Sequence, residues 1–305
     1  MGERVLVTGG SGFIGSLLVE ALLERGAEVH CLVRTPRSAG YLSLVWPSVR
    51  PHYADLTDSN AVQKAVDAAR PEAVAHLAAV GVQDVRVDPV WAVQVNVVGT
   101  LNLLLALQGR YRVFVNAGTC LEYGSNDPPF REDQDPRPVL PYAITKTAAW
   151  RFCCRFHHTE GWPIVTVRPF GVYGPRQPAT AFIPLCIRAA QRGQDFHMSP
   201  GEQTRDWVYV SDVVDGFLQA MSVPQAVGGT FNLCSGLETT FYDLAQAIVA
   251  QMGNCIAIHR GSQPYRDGEI RRLVGDNSRA QAILGWAPRV PLAEGLQRTI
   301  QPMTI

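Results

Sequence analysis

Thr8-Gly9-Gly10-Ser11-Gly12-Phe13-Ile14-Gly15 is the stretch whose reading decides the fold. It follows a short apolar run, Val5-Leu6-Val7, and opens onto a helical pattern over 14–25. Glycine at 9, 12 and 15 permits a tight turn, close approach of backbone to a pyrophosphate, and close packing of helix on strand. The N-terminus of the helix supplies unpaired N–H groups for the phosphates. A glycine triplet alone is weak evidence; a strand before it and a helix after it give it meaning. Gly9, Gly12, Phe13, Ile14 and Gly15 are therefore expected to form a dinucleotide site.

Outward from this turn, β-branched runs alternate with helical patterns. Strands are expected at 4–8, 28–33, 73–78, 112–116 and 164–168, with helices at 14–25, 59–69, 91–108 and 141–158. That alternation predicts an α/β fold: a Rossmann-type doubly wound parallel sheet covered on both faces. The second half is less regular, with Pro and Gly clustered over 169–178 and 199–201, one more strand at 230–234 and a helix at 241–252. We expect residues 1–170 plus about 207–234 to form an NADP-binding Rossmann domain. About 171–206 and 235–305 would form a smaller mixed α/β C-terminal substrate lobe.

Composition narrows the function class. The chain has 305 residues, 47% hydrophobic and 18% charged, as expected of a globular enzyme and not of a disordered chain. Its 27 basic and 27 acidic residues leave no net charge, which argues against a nucleic-acid partner. Seven cysteines without a CxxC pair predict free thiols in a reducing compartment and no metal site. The apolar stretch 90–107 contains Gln94, Asn96, Gly99 and Asn102, and reads as a buried helix rather than a membrane span. No leader pattern opens the chain, so a cytoplasmic location is expected.

The end of the second strand bears on the cofactor. An acidic residue there would hold the ribose 2′-hydroxyl of NAD and repel a 2′-phosphate. This strand instead ends on Arg34, with Arg37 and Ser38 just after. A guanidinium pairs with phosphate, so NADP(H) is expected. The alternative is NAD, with Arg34 stacked on the adenine. Asp55, ahead of the helix at 59–69, is placed to accept a bond from the adenine amine.

Tyr142 and Lys146 stand four apart in a helical segment and so share a face. Lys64 and Lys146 are the only lysines among 27 basic residues. With nine tyrosines, chance gives this spacing a probability of only ~0.06. A phenol titrates too high to exchange protons easily at neutral pH, and a neighbouring ammonium lowers that barrier. Tyr142 can then give a proton to a ketone oxygen, or take one from an alcohol. Thr119, after the strand over 112–116, can hydrogen-bond the same substrate oxygen.

These residues resemble the extended short-chain dehydrogenase/reductase family of nucleotide-sugar epimerases, dehydratases and reductases. The resemblance covers nearly the whole chain. Beyond the glycine turn it includes His76-Leu77-Ala78-Ala79, Asn96-Val97-Val98-Gly99-Thr100, Gly118-Thr119-Cys120-Leu121-Glu122-Tyr123-Gly124 and Tyr142-Ala143-Ile144-Thr145-Lys146. It continues through Arg168-Pro169-Phe170-Gly171-Val172-Tyr173-Gly174-Pro175, Arg205-Asp206-Trp207-Val208-Tyr209-Val210 and Leu284-Gly285-Trp286-Ala287-Pro288. The resemblance implies Thr119, Tyr142 and Lys146 as catalytic, with Lys146 also holding the nicotinamide ribose. It adds Leu56, Leu77, Ala78 and Ala79 to the cofactor site, and Arg205 and Arg266 as contacts to the diphosphate or sugar of a nucleotide sugar. It also implies a homodimer, built on the helices over 91–108 and 141–158.

Two departures stand out. The family's 4,6-dehydratases carry Asp-Glu directly after the catalytic Thr, where this chain has Cys120-Leu121, and Glu122 is expected to face elsewhere. Elimination of water is thereby disfavoured. The family commonly has Asn at the position of Gly171, where it helps to bind substrate. Cys120 has no His placed to make it a nucleophile. The expectation is an NADPH-dependent reductase of a 4-keto-6-deoxy nucleotide sugar. A 4-epimerase is the alternative, and a dehydratase or a dinucleotide-sensing regulator without catalysis are the remaining readings.

Overall fold

The computed structural model describes residues 2–36, 40–82, 86–265 and 269–301. The first half runs β1 (Arg4–Thr8), α1 (Phe13–Glu24), β2 (Glu28–Val33), β3 (Arg50–Tyr53), α2 (Ser59–Ala69), β4 (Ala73–His76), α3 (Pro89–Val93), α4 (Gly99–Leu107), β5 (Val113–Ala117), α5 (Pro141–Glu160) and β6 (Ile164–Pro169). The second runs β7 (Gly171–Tyr173), α6 (Phe182–Gln191), β8 (Phe196–His197), β9 (Thr204–Tyr209), α7 (Val210–Ser222), β10 (Thr230–Leu233), β11 (Glu238–Thr240), α8 (Phe241–Gln251), β12 (Ile258–His259), β13 (Arg272–Leu273) and α9 (Leu292–Ile300).

Seven strands form one parallel sheet in the order β3-β2-β1-β4-β5-β6-β10. The chain reverses direction across the sheet between β1 and β4, and the crevice at that switch point is where ligands bind in such folds. Side-chain alternation explains the two covered faces. Val5 and Val7 pack with Leu18 and Val19 of α1 and Val213 and Phe217 of α7. Leu6, between them, packs the other way with Val62 of α2 and Leu103 and Leu107 of α4. Every residue of β4 is buried, as both-face coverage requires.

The helix expected over 91–108 is present, with one irregularity in its middle. α3 and α4 are joined by a π turn at Gln94–Val98, in which Asn96 is turned inward and buried. The helical stretch Pro89–Leu107 is long and apolar enough to cross a membrane, and 44% of its apolar window is buried inside the fold.

A second, four-stranded sheet is organised by β9. Its end, Trp207–Tyr209, pairs in parallel with β7; its start, Thr204–Asp206, pairs antiparallel with β11; and β13 lies parallel on its other side. β8 and β12 form a separate pair. A second core beneath them joins Tyr173, Ile183, Ile187, Tyr209, Leu244, Ile248 and Leu296. Asp212, at the start of α7, accepts the N–H groups of Arg289 and Val290 at 3.0 and 2.9 Å, and its carbonyl accepts the Trp286 indole N–H at 2.7 Å. This explains why Leu284-Gly285-Trp286 reads as a motif: it docks the tail.

Candidate active site

A cleft of about 1430 Å³ opens over the β1/β4 switch point and runs on between the main sheet and the lobe. It exceeds what one drug-sized ligand needs, so a dinucleotide and a second ligand both have room.

The glycine turn forms its floor. Gly9 sits at φ +72°, and a Cβ there would lie 2.6 Å from the Ala78 amide nitrogen. A Cβ on Gly15 would lie 2.2 Å from the Gly9 carbonyl oxygen, so helix and turn touch backbone to backbone. Gly12 is the N-cap of α1, and no side chain caps the helix. The first amides of α1 are thus left for a ligand, and Gly12, Phe13 and Ile14 line the cleft.

A chain of hydrogen bonds holds the loop opposite. Ala78 N–H donates to Thr8 Oγ1 at 3.2 Å, and the Thr100 hydroxyl donates to the Asn96 carbonyl at 2.7 Å. Between them His76 meets Thr8 Oγ1 through Nδ1 at 2.7 Å and Thr100 Oγ1 through Nε2 at 2.8 Å. One assignment satisfies every group: a neutral ring with the proton on Nε2. Burial, then the Lys146 charge, depress His76 to a pKa of about 3, which agrees. Asn96 accepts Val80 N–H at 2.9 Å, donates to Val80 C=O at 3.0 Å and donates to Thr145 Oγ1 at 2.9 Å. It therefore ties the Leu77-Ala78-Ala79 loop to α5.

Tyr142 and Lys146 are both buried and line the cleft with Thr119. Tyr142 is pushed upward by burial first, then by the Glu122 and Cys120 charges, while a hydrogen bond with Thr119 acts the other way. Burial draws the Lys146 ammonium down, and Glu122 opposes it. Lys146 Nζ has no hydrogen-bond partner in the protein. A buried ammonium without an acceptor is costly, and ribose hydroxyls beside it would supply one. With the uncapped start of α1, this makes the cleft fit a nicotinamide dinucleotide.

The other expected residues divide. Arg34 lies exposed at the end of β2 and lines the cleft, as do Asp55 and Leu56. Arg37 and Ser38 lie outside the described residues, and so does Arg266. Asp55 Oδ1 is already used by its own turn, accepting Thr57 N–H at 2.9 Å and the Thr57 hydroxyl at 2.8 Å. Arg205 reaches the cleft, but its guanidinium is engaged: Nη1 donates to the Thr204 and Ile270 carbonyls at 2.7 and 2.9 Å, and Nη2 to Glu269 at 3.4 Å. An incoming diphosphate would compete with Glu269. The Cys120 thiol is pushed up to about 12 by burial, which leaves it protonated and a poor nucleophile.

Gly171 has a physical reason. A Cβ there would stand 2.7 Å from the Asp206 carbonyl and 3.0 Å from Trp207 Cε3. Trp207 fills the space that an Asn side chain would use. Two further residues shape the site without lining the cleft: Glu122, which faces away from it as expected, and Arg176. Glu122 accepts the Thr119 backbone N–H at 2.8 Å and completes a capping box with it. The Thr-x-x-Glu spacing was the available signal. Arg176 leaves the loop after β7 to bond Glu20 of α1 at 2.8 Å, fastening the lobe to the helix that opens the cleft; no periodicity marks it. Among the described residues, no group of three or more His, Cys, Asp or Glu side chains could hold a metal.

The profile of the family described as GDP-mannose 4,6 dehydratase matches residues 6–299. A UDP-glucose 4-epimerase from Mycolicibacterium smegmatis is 35% identical over 98% of this chain and 97% of its own length. A GDP-6-deoxy-D-mannose reductase from Pseudomonas aeruginosa is 31% identical over 97% of this chain and 96% of its own. Among solved structures, the UDP-glucose 4-epimerase of Thermotoga maritima with UDP-glucose superposes with a TM-score of 0.91 at 30% identity, covering 98% of both chains. The UDP-glucose 4-epimerase of Thermus thermophilus in complex with NAD gives 0.86 at 31%, again over 98% of both. With its parallel sheet, glycine turn and buried Tyr-Lys pair, the chain belongs to the GDP-mannose 4,6 dehydratase family of extended short-chain dehydrogenases/reductases, and is an enzyme of that type.

Proposed function

We propose that this enzyme transfers a hydride between NADP(H) and the C4 carbon of a nucleotide-activated sugar, running as a reductase of a 4-keto-6-deoxyhexose. The observation that carries the reading is the cleft wall formed by Thr119, Tyr142 and Lys146 with Cys120 and Leu121 beside them. The three polar groups suffice for proton transfer at one carbinol carbon, and the two neighbours provide no acid or base for eliminating water.

The bound dinucleotide would supply the hydride. Tyr142 donates the proton to the ketone oxygen, Thr119 orients that oxygen, and Lys146 holds the ribose and assists the phenol. Gly9, Gly12, Phe13, Ile14 and Gly15 cradle the pyrophosphate, while Leu56, Leu77, Ala78 and Ala79 form the apolar sides of the dinucleotide channel. Arg34 supports NADP(H) over NAD, because it offers a guanidinium where the 2′-phosphate would stand. Arg205, from the lobe, faces the substrate side of the cleft.

A second reading is a 4-epimerase with retained cofactor. The 35% identity to an epimerase favours it, and it uses the same three residues. The two part on one measurement. Loss of NADPH absorbance with a nucleoside-diphosphate 4-keto-6-deoxyhexose supports the reductase; interconversion of UDP-glucose and UDP-galactose without net cofactor change would replace it.

The outer surfaces of α4 and α5 expose Leu105, Ile144 and Phe152. Apolar side chains on two neighbouring helices suit a second copy of this chain, so sedimentation at micromolar concentration is expected to give a homodimer. A monomer would contradict that assignment.

A further inference from the structure

The turn that carries Thr119 rests on a buried ion pair which the reaction described above does not use. Glu122 is fully buried behind Thr119 and forms no part of the cleft wall. One carboxylate oxygen accepts the Thr119 N–H at 2.8 Å. The other accepts Arg168 Nε at 3.0 Å and lies 2.8 Å from its Nη2. Arg168, on β6, is fully buried too; its guanidinium carbon lies 4.7 Å from the ring centre of Tyr123 and 4.5 Å from that of Trp150 on α5. Gly118 makes the space, since a Cβ there would stand 2.6 Å from the Glu122 carboxylate. The carboxylate thus ties the turn bearing Thr119 to Arg168, whose guanidinium lies against Trp150 of the helix bearing Tyr142 and Lys146.

Stability alone is a weak reason for such a pair. Removing two charges from water offsets most of their attraction, and apolar side chains of similar volume hold a turn as well. The charge itself has closer uses. Its charge is felt by Arg168 of β6, by Tyr142, Lys146, Cys153 and Cys154 of α5, and by Cys120 of its own turn. Lys146 has no protein hydrogen-bond partner, and Glu122 is the carboxylate that opposes the effect of its burial.

On the reading of the site given above, we propose that Glu122 is a positioning residue that fixes Thr119 through its backbone amide and sets the charge under which Tyr142 and Lys146 work. It adds to burial in favouring the protonated resting phenol, the form that donates. It opposes the burial that disfavours the Lys146 ammonium, the form able to donate to ribose hydroxyls. Arg168 holds the carboxylate in place from behind.

The test is E122Q, which keeps the oxygen that accepts the Thr119 amide and removes the charge. Binding of reduced dinucleotide, followed by its fluorescence across pH, reports on Lys146 without any sugar. Affinity that depends on the ammonium is lost as pH rises through the Lys146 titration. E122Q is expected to move that loss to lower pH by about one unit. Turnover is expected to fall about tenfold or more with KM changed less than about twofold. E122Q leaves Arg168 buried without a counter-charge, which destabilises folding. E122Q/R168M removes both charges and is expected to show the same displacement. Folded E122Q/R168M with the wild-type pH dependence of dinucleotide affinity overturns the proposal, as does failure of both variants to fold, since the pair is then structural. A mistaken substrate assignment looks different: the displacement in dinucleotide binding is present, while wild type turns over no nucleotide sugar.

Discussion

The two walls of the cleft are built by different means. The wall proposed to hold the dinucleotide is mostly backbone: glycines at van der Waals contact, an uncapped helix start, and a loop fixed by the Thr8–His76–Thr100 chain. The wall proposed to face the substrate is mostly side chain: Phe170, Trp207 and Phe241 around an arginine that Glu269 already engages. Backbone recognition tolerates little variation and writes itself into sequence as glycine. Side-chain recognition can be retuned one residue at a time, which is how one fold serves many sugars.

The comparison can be broken most forcefully by acid. His76 is held neutral, with its folded pKa far below the ordinary 6.5 at about 3. The denatured chain takes up that proton first. Stability from this group is therefore present above about pH 6.5 and lost as pH falls toward 3, amounting to about 3 to 5 kcal/mol. Replacing His76 with Gln should flatten that part of the stability profile in chemical denaturation; an unchanged acid slope would mean that His76 does not carry this acid sensitivity. Next in size is Tyr142→Phe, expected to lower kcat by about 100- to 10,000-fold with dinucleotide affinity unchanged. Parallel loss of affinity would show that the residue belongs to binding rather than to proton transfer.

Smaller effects sharpen the contrast. Arg34→Asp should shift the NADP-over-NAD preference by about tenfold or more, as the ratio of kcat/KM values. An unchanged ratio would remove Arg34 from the phosphate site. Glu269→Gln should tighten nucleotide-sugar binding about two- to fivefold by releasing part of Arg205, whose pair with Glu269 is only partly buried. Weaker binding would instead assign Glu269 to direct contact with the sugar.

How much was legible in the sequence follows the same division. The strands at 4–8 and 28–33 and the helix at 59–69 stand where their patterns put them, because burial on both faces leaves an unbroken apolar run or a 3.6-residue period. β3 was less visible: Arg50-Pro51-His52-Tyr53 is an edge strand with little buried surface. β11 is Glu238-Thr239-Thr240, three polar residues held by pairing with β9 rather than by any pattern of their own. The π turn at Gln94–Val98 carries no composition signal, since it satisfies Asn96 and its distant partners Val80 and Thr145. In the site, Tyr142 and Lys146 announce themselves by spacing. The engagement of Arg205 by Ile270 and Glu269 does not, because those partners lie 65 and 64 residues away.

The proposed reaction is net hydride transfer from NADPH to a sugar C4 through Tyr142. Its most direct test is incubation of the purified enzyme with hydride-deuterated NADPH and a nucleoside-diphosphate 4-keto-6-deoxyhexose, with the product followed by mass spectrometry and NMR. One deuterium at C4 is expected for each NADPH oxidised, and none with Tyr142→Phe. Product formed without deuterium and without loss of NADPH would contradict it.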